Sequence, residues 1–356
     1  MRTMRLAERS VRRGGGKATI ADVARIAGVS AMTVSRVIND GGNVRPATRS
    51  KVADAIRALN YAPNHAARTL ASAETMRIGL LYNNPSSSYL GELLIGALMQ
   101  TGRLGSQLVL EQCGDEAGAA GAVRKLQRAG VDGILIPPPL CDSADLCALL
   151  DVADMPFVLI ASGRPGAGRA AIRIDDHAAA RQMTAHLIAL GHRRIAFVRG
   201  HPNQTASAER ERGYCSAMAA AALPIDPAWI EQGYFTYQSG VEAAARILAL
   251  SDRPTAIFAS NDDMAAGVSA MAHRLHLDVP RDLAVAGFDD TQLATAIFPE
   301  LTTIRQPIAQ MARRAVDLLC DRIRGVRADV PTPVAMESIG FELIERGSSV
   351  ADRANA

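Results

Sequence analysis

Two different periodicities divide the chain. From residue 19 to about 61, apolar positions recur at helical spacing. Ile20, Val23, Ala24 and Ala27 share one face, and Val34, Val37 and Ile38 form a second. Val52, Ile56 and Leu59 form a third, inside a helix predicted over Pro46–Asn60. Thr19 and Ser30 stand where N-caps belong, and Asp22 suits the positive end of its helix. Gly28 lies between the first two helices, at a turn that disfavours a Cβ, and Pro46 is well placed to open the third. Beyond Met76 the pattern changes to short apolar runs. They lie at Arg77–Tyr82, Gln107–Glu111, Val131–Pro137, Pro156–Ile160, Ala170–Asp175, Arg193–Arg199, Thr255–Ala259 and Leu283–Phe288. Between them run Ala/Leu-rich stretches of helical period, such as Asp176–Leu190 and Asp263–His276. Strands alternating with helices imply parallel sheets covered on both faces, and so many units fit two lobes better than one.

Charge sharpens this division. The chain of 356 residues carries a net +3, but residues 1–72 hold 13 Lys+Arg against 4 Asp+Glu, leaving the remainder acidic. Basic charge gathered on a small terminal segment is the footprint of a nucleic-acid binder. No apolar run is long enough for a membrane span. The Arg- and Gly-rich residues 1–18 do not resemble a secretory signal and read as a basic tail, so the expected location is cytoplasmic, at the nucleoid when bound to DNA. The five cysteines are odd in number and lack zinc spacing, which predicts reduced thiols; no metal and no cofactor is expected. G-x-S-x-G, P-loop and H-E-x-x-H patterns are absent. Gly163–Gly168 has the wrong spacing for a dinucleotide fingerprint, and an enzyme is not expected.

The first two helices predict a helix-turn-helix. With Val34, Val37 and Ile38 facing inward, Ala31, Met32, Thr33, Ser35 and Arg36 are left at the exposed start of the second helix, the part that meets base edges in the major groove. Arg36 can donate two hydrogen bonds to guanine. Thr48 and Arg49 on the third helix suit phosphate contacts that set register.

Residues 19–24 (Thr-Ile-Ala-Asp-Val-Ala), 27–30 (Ala-Gly-Val-Ser), 33–39 (Thr-Val-Ser-Arg-Val-Ile-Asn) and 60–64 (Asn-Tyr-Ala-Pro-Asn) resemble the head and hinge entry of the lactose-repressor/purine-repressor family of bacterial regulators. The likeness continues in order through Gly191-His192, Asn261-Asp262, residues 287–290 and residues 301–306, to about residue 345. It implies an all-α helix-turn-helix head on an α/β periplasmic-binding-protein-like body of two doubly wound parallel-sheet lobes. The implied domains are a tail 1–18, a DNA-binding head 19–63, a hinge helix and linker 64–75, an effector-binding body 76–345 and a polar tail 346–356. Within the body, lobe 1 takes about 76–175 and 306–331, and lobe 2 about 176–303 and 334–345. The resemblance places Thr19, Ser30, Asn39 and Asn64 on the DNA side as well. It makes Ala67 the small residue where paired hinge helices approach, and Leu70 the wedge that enters a base step.

For the body, the resemblance implies a small effector in the cleft, with a carbohydrate expected. Arg210, Asn261 and Asp289 fall on the strongest ligand positions, and Phe235 on an aromatic stacking position. Asn83, Asn84 and the stretch Ser86, Ser87, Ser88 and Tyr89 follow the first strand, where a lobe opens to the cleft, and Tyr82, which ends that strand, is expected early in the cleft. Of these, Tyr82, Asn84 and Ser88 are the expected ligand contacts. Asp175, Asp176 and His177 read as a helix cap rather than a metal site. The family often carries an acidic residue after Phe157–Ile160, where this chain has Ala161 and Ser162, so a hydroxyl-binding carboxylate is missing from its usual place. Without a C-terminal leucine heptad, the expected assembly is a homodimer on double-stranded operator DNA.

Overall fold

The computed structural model describes residues 19–38, 44–59, 75–114, 116–166, 168–328, 330 and 336–350, with the side chains of 35, 36, 38, 116 and 117 outside it. The chain divides into two compact units at Thr75/Met76.

The first unit holds α1 (Ile20–Ala27), α2 (Ala31–Ile38) and α3 (Pro46–Leu59). Thr19 and Asp22 form a reciprocal capping box at the start of α1, and Gly28 ends it at φ 68°. Ser30 Oγ accepts from the Thr33 amide at 3.2 Å and caps α2. Val23, Ala24, Ala27, Val34, Val52 and Ala55 form the buried core, with Ile20, Val37, Ile56 and Leu59 packed around it. The expected inward faces are therefore observed, with Ala55 added to them. The side chain of Ile38 lies outside the described residues.

The second unit begins with a six-stranded parallel sheet in the order β11-β5-β4-β3-β1-β2. Its strands are β1 (Arg77–Tyr82), β2 (Gln107–Gln112), β3 (Gly133–Ile136), β4 (Phe157–Ile160), β5 (Ala170–Arg173) and β11 (Met336–Ser338). It carries α4 (Ser87–Arg103), α5 (Glu116–Arg128), α6 (Ala144–Val152) and α12 (Ile308–Ala328). The second lobe is a parallel sheet in the order β7-β6-β8-β9, of β6 (Ile195–Arg199), β7 (Ile230–Gln232), β8 (Ala256–Ala259) and β9 (Ala284–Ala286). Its helices are α7 (Asp176–Ala189), α8 (Thr205–Ala220), α9 (Tyr237–Leu248), α10 (Asp262–Arg274) and the short α11 (Leu293–Ala296). An antiparallel pair, β10 (Thr303–Arg305) and β12 (Glu342–Ile344), completes it. Strands β3, β4 and β8 are buried along their whole length, which is why they read as continuous apolar runs. No helix among the described residues is long and apolar enough to cross a membrane.

Two boundaries differ from the sequence expectation. Met336–Ser338 pairs with β5 in the first sheet, so the chain returns to lobe 2 after residue 338 and not at 334. Residues 346–349, expected in the polar tail, belong to the fold. Ser348 is fully buried, its backbone carbonyl accepts from the Val285 amide and its hydroxyl donates to the Val285 carbonyl. Polar composition misled there because these serines satisfy backbone groups at the edge of β9.

Helices α4 and α12 of lobe 1 cross closely. A Cβ at Gly96 would lie 2.2 Å from the Ala309 carbonyl oxygen, whereas one at Gly91, on the same helix, would meet nothing within 4 Å. Gly96→Ala is therefore expected to lower the unfolding free energy by about 1–3 kcal/mol in urea titration. Gly91→Ala should be neutral or raise it by up to about 1 kcal/mol.

Candidate functional site

The carboxyl ends of both parallel sheets face a cleft between the two lobes, where open α/β sheets bind ligands. Asn84, Ser86, Tyr89, Pro138 and Ala161 line it from lobe 1, and Gln204, Ala206, Arg210, Phe235, Asn261 and Asp289 from lobe 2, with Gln306 at the crossing. The lobes are closed on it. About 30 Å³ remains for water-sized contents, room for a water or two but not for a sugar ring. A hollow of about 570 Å³ lies elsewhere, beside Met155, Pro156 and Arg322. It sits at the start of β4, the wrong end of the sheet for ligand chemistry.

Arg210 is the centre of the lobe 2 wall. It is 4% exposed, its Nε donates to Asp176 at 2.8 Å, and its Nη1 donates to the Ser260 carbonyl at 2.6 Å. Nη1 also lies 3.7 Å from Asp289. The guanidinium covers the Phe288 ring at 3.6 Å, a cation–π contact strengthened by desolvation. One cation is thus shared by two buried carboxylates. Burial pushes both Asp176 and Asp289 above the ordinary carboxylate range, and Arg210 opposes the shift in each case.

Asp289 stands at φ 114°, a strained backbone for a non-glycine residue, and accepts from Gln306 Nε2 at 2.5 Å. That bond turns the Gln306 carbonyl oxygen away from Asp289, where it is buried without a hydrogen-bond partner among the described residues. The Tyr89 hydroxyl is buried and unpartnered in the same sense. Burial, reinforced by Asp289, pushes its pKa far up, so Tyr89 stays a neutral phenol. By contrast, the side-chain amides of Asn84 and Asn261 are already committed. Asn84 Nδ2 donates to the Pro138 carbonyl, and Asn261 Nδ2 donates to the Phe235 carbonyl and to Asp263.

The structure brings together Asn84, Arg210, Phe235, Asn261 and Asp289 of the expected set. Asn261 is at once a lining residue and the N-cap of α10, accepting from the Met264 amide. Phe235 is 7% exposed at φ 60°, and its ring packs so closely on Gly200 that a Cβ there would overlap it. It is a wall, not an open stacking platform. Tyr82 and Ser88 are not brought to the cleft. Strand alternation puts Tyr82 on the Ile78 and Leu80 face, packed against the core. Ser88 is the second residue of α4, and the nearby Ser86 and Tyr89 do the lining. Asp175 caps α7 by accepting from the Ala178 amide, as its position predicts, but Asp176 proves to be the Arg210 partner.

In the head, Ala31 and Met32 are exposed, Met32 at 66%. Thr33 is half-buried, with its hydroxyl 2.9 Å from Ser30 Oγ. Thr48 and Arg49 lie in the first turn of α3, where both amides donate to the Arg45 carbonyl. The Ser35 and Arg36 side chains, Asn39, Asn64, Ala67 and Leu70 lie outside the described residues.

Residues 19–64 match the family model described as bacterial regulatory proteins, lacI family, and residues 184–349 match the periplasmic binding protein-like domain. The HTH-type transcriptional repressor PurR of Vibrio vulnificus (strain CMCP6) is 37% identical over 317 residues, covering 88% of this chain and 94% of that protein. The chain belongs to the lacI family. Among solved structures, a transcriptional regulator CelR–cellobiose complex is 32% identical, with TM-score 0.70 over 93% of this chain and 99% of that one. A lac repressor dimer bound to operator and an anti-inducer is 28% identical, with TM-score 0.73 over 94% and 100%. This lacI-family chain is accordingly a ligand-responsive, DNA-binding transcription regulator and not an enzyme.

Beneath the cleft of this regulator, Asp262 is fully buried and accepts from Thr303 Oγ1 and from the Thr291 amide and hydroxyl. Burial outweighs those bonds and pushes its pKa up to about 7. A carboxyl whose folded pKa is raised binds more protons folded than unfolded, so its contribution is complete below about 4 and is lost as pH rises towards 7. Unfolding free energy measured in urea is expected to fall between pH 4 and pH 7 through this group. Asp262→Asn should flatten that slope.

Proposed function

We propose that this lacI-family regulator is a repressor that binds a palindromic operator as a homodimer, with affinity set by a sugar or sugar derivative in the inter-lobe cleft. One observation carries the effector reading. Among the described residues, the buried cleft groups left without a partner are the Gln306 carbonyl, an acceptor, and the Tyr89 hydroxyl, able to donate or accept. Hydroxyl donors of a sugar answer such a set, and Pro138, Ala161, Ala206 and Phe235 supply apolar walls for its C–H surface. The cellobiose complex of CelR, at 32% identity, supports the same class.

On the DNA side, Ala31, Met32, Thr33, Ser35, Arg36 and Asn39 are assigned to base edges and the adjoining backbone. Thr19, Ser30, Thr48, Arg49 and Asn64 are assigned to phosphates. Leu70 and Ala67 are assigned to the hinge pair in the minor groove. The dimer reading is supported by an apolar face of α4, where Ile95, Leu98 and Met99 are about half exposed, together with exposed Leu110 on edge strand β2. A contiguous exposed apolar patch of this kind marks an association surface.

The reading is tested by selecting duplexes from a random pool with the full chain. A palindromic consensus is expected, with affinity falling steeply as salt rises because several phosphates are neutralised. Leu70→Ala should weaken operator binding by about tenfold or more while leaving effector affinity unchanged. Leu98→Glu should shift the chain to monomer in analytical ultracentrifugation and weaken operator binding with it. In a thermal-shift screen, neutral sugars should raise the melting temperature by linkage. A rise with nucleobases alone would replace the sugar assignment.

A further inference from the structure

Helix α8 carries Arg210, yet it lacks a cap of its own: Gln204, at its N-cap position, makes no side-chain hydrogen bond to the helix. The cap comes from the other lobe. Asp142, at the end of a short 3-10 turn after β3, accepts from the Thr205 amide at 2.7 Å. The Thr205 hydroxyl lies 2.9 and 2.8 Å from the two Asp142 oxygens. Ser162 Oγ donates to the same carboxylate at 2.8 Å, and the Gly163 amide donates to Thr205 Oγ1 at 2.7 Å. The approach is so close that a Cβ at Gly163 would lie 2.9 Å from Thr205 Oγ1 and 3.0 Å from its Cβ. A second bridge spans the cleft, where Ser86 Oγ, at the N-cap of α4, donates to Asp263 in the first turn of α10 at 2.6 Å.

We infer that Asp142 is a positioning residue that couples closure of the cleft to the end of α8, so that contacts between the lobes themselves favour the closed arrangement. The physical basis is the helix terminus. The Thr205 amide, the first of α8, meets lobe 1 at the positive end of the helix dipole, and a carboxylate there forms a charge-assisted bond. When the lobes part, that carboxylate leaves with lobe 1 and Thr205 loses its amide partner, because Gln204 offers none. Closure therefore completes the helix that presents Arg210, and opening undoes it. Since the closed cleft has room for about 30 Å³, the clasp must release to admit a molecule larger than water and can re-form around it. This inference does not depend on the effector's identity.

The test uses the full chain without added metabolite. Spin labels are attached through an unnatural amino acid at exposed Ala148 on α6 and exposed Ala219 on α8, which leaves the native cysteines in place. Pulsed electron resonance then reads the lobe-to-lobe distance distribution. The wild type should show a dominant closed population. Asp142→Ala should lower the closed-to-open ratio about tenfold, the scale of losing charge-assisted hydrogen bonds. Gly163→Ala, which removes no hydrogen-bonding group but inserts a methyl between the lobes, should shift the distribution the same way. Thermal melts with retained circular dichroism establish that each variant is folded. A merely local capping role would not move the inter-lobe distance. Wild-type distributions in both folded variants would overturn the clasp. A shift in Gly163→Ala with none in Asp142→Ala would overturn it as well, because closure would then not depend on the Asp142 carboxylate.

Discussion

Arg210 places a permanent positive charge in a site that is 4% exposed, and the cleft-facing groups of the second lobe are arranged around it. Its Nε holds Asp176 at the start of α7, its Nη1 holds the Ser260 carbonyl at the end of β8, and its face covers Phe288 after β9. Three elements are thereby tied to the helix that carries it. An ion of this kind cannot be removed on its own without leaving buried carboxylates unanswered, at a cost of about 3–5 kcal/mol. The same arrangement sets the chemistry offered to a ligand. Asp289 is stabilised by Arg210 and by the Gln306 amide, which leaves the Gln306 carbonyl and the Tyr89 phenol facing the cavity with no protein partner among the described residues.

Closure is the second constraint, and it acts on the helix that carries the first. Arg210 is five residues into a helix whose beginning is capped from the opposite lobe by Asp142. A molecule that parts the lobes disturbs that helix end, and one that fits between them restores it. The cleft is therefore a two-state element, and a ligand biases it only through its differential affinity for the two states.

Where structure is local, the sequence was sufficient. The capping box at Thr19, the left-handed turn at Gly28, the Ser30 cap and the Asp175 cap each involve partners within about one turn, so residue type and spacing fix them. Buried parallel strands were legible as unbroken apolar runs. The three-residue strands Ile230–Gln232, Thr303–Arg305, Met336–Ser338 and Glu342–Ile344 were not, because each is interrupted by polar residues, unlike the all-apolar Ala284–Ala286. Arg210, Asn261 and Asp289 came from the family resemblance and do meet at one cavity. What the sequence could not supply was pairing over distance. Asp142 meets Thr205 across 63 positions, Ser86 meets Asp263 across 177, and Arg210 meets Asp176 across 34. The absent carboxylate after β4 was visible from the sequence. That Asp142 would bring one to the neighbouring Ser162 was not.

A basic helix-turn-helix head and a two-lobed body are joined in one chain, and the central claim is that occupancy of the cleft changes affinity for DNA. The direct measurement is fluorescence anisotropy of the full chain on its selected palindromic duplex, with and without the metabolite that most raises its melting temperature. Operator Kd is expected to change by about 5–150-fold, with the same factor appearing in metabolite affinity when operator is present. A metabolite that saturates the cleft while leaving operator Kd unchanged would contradict it.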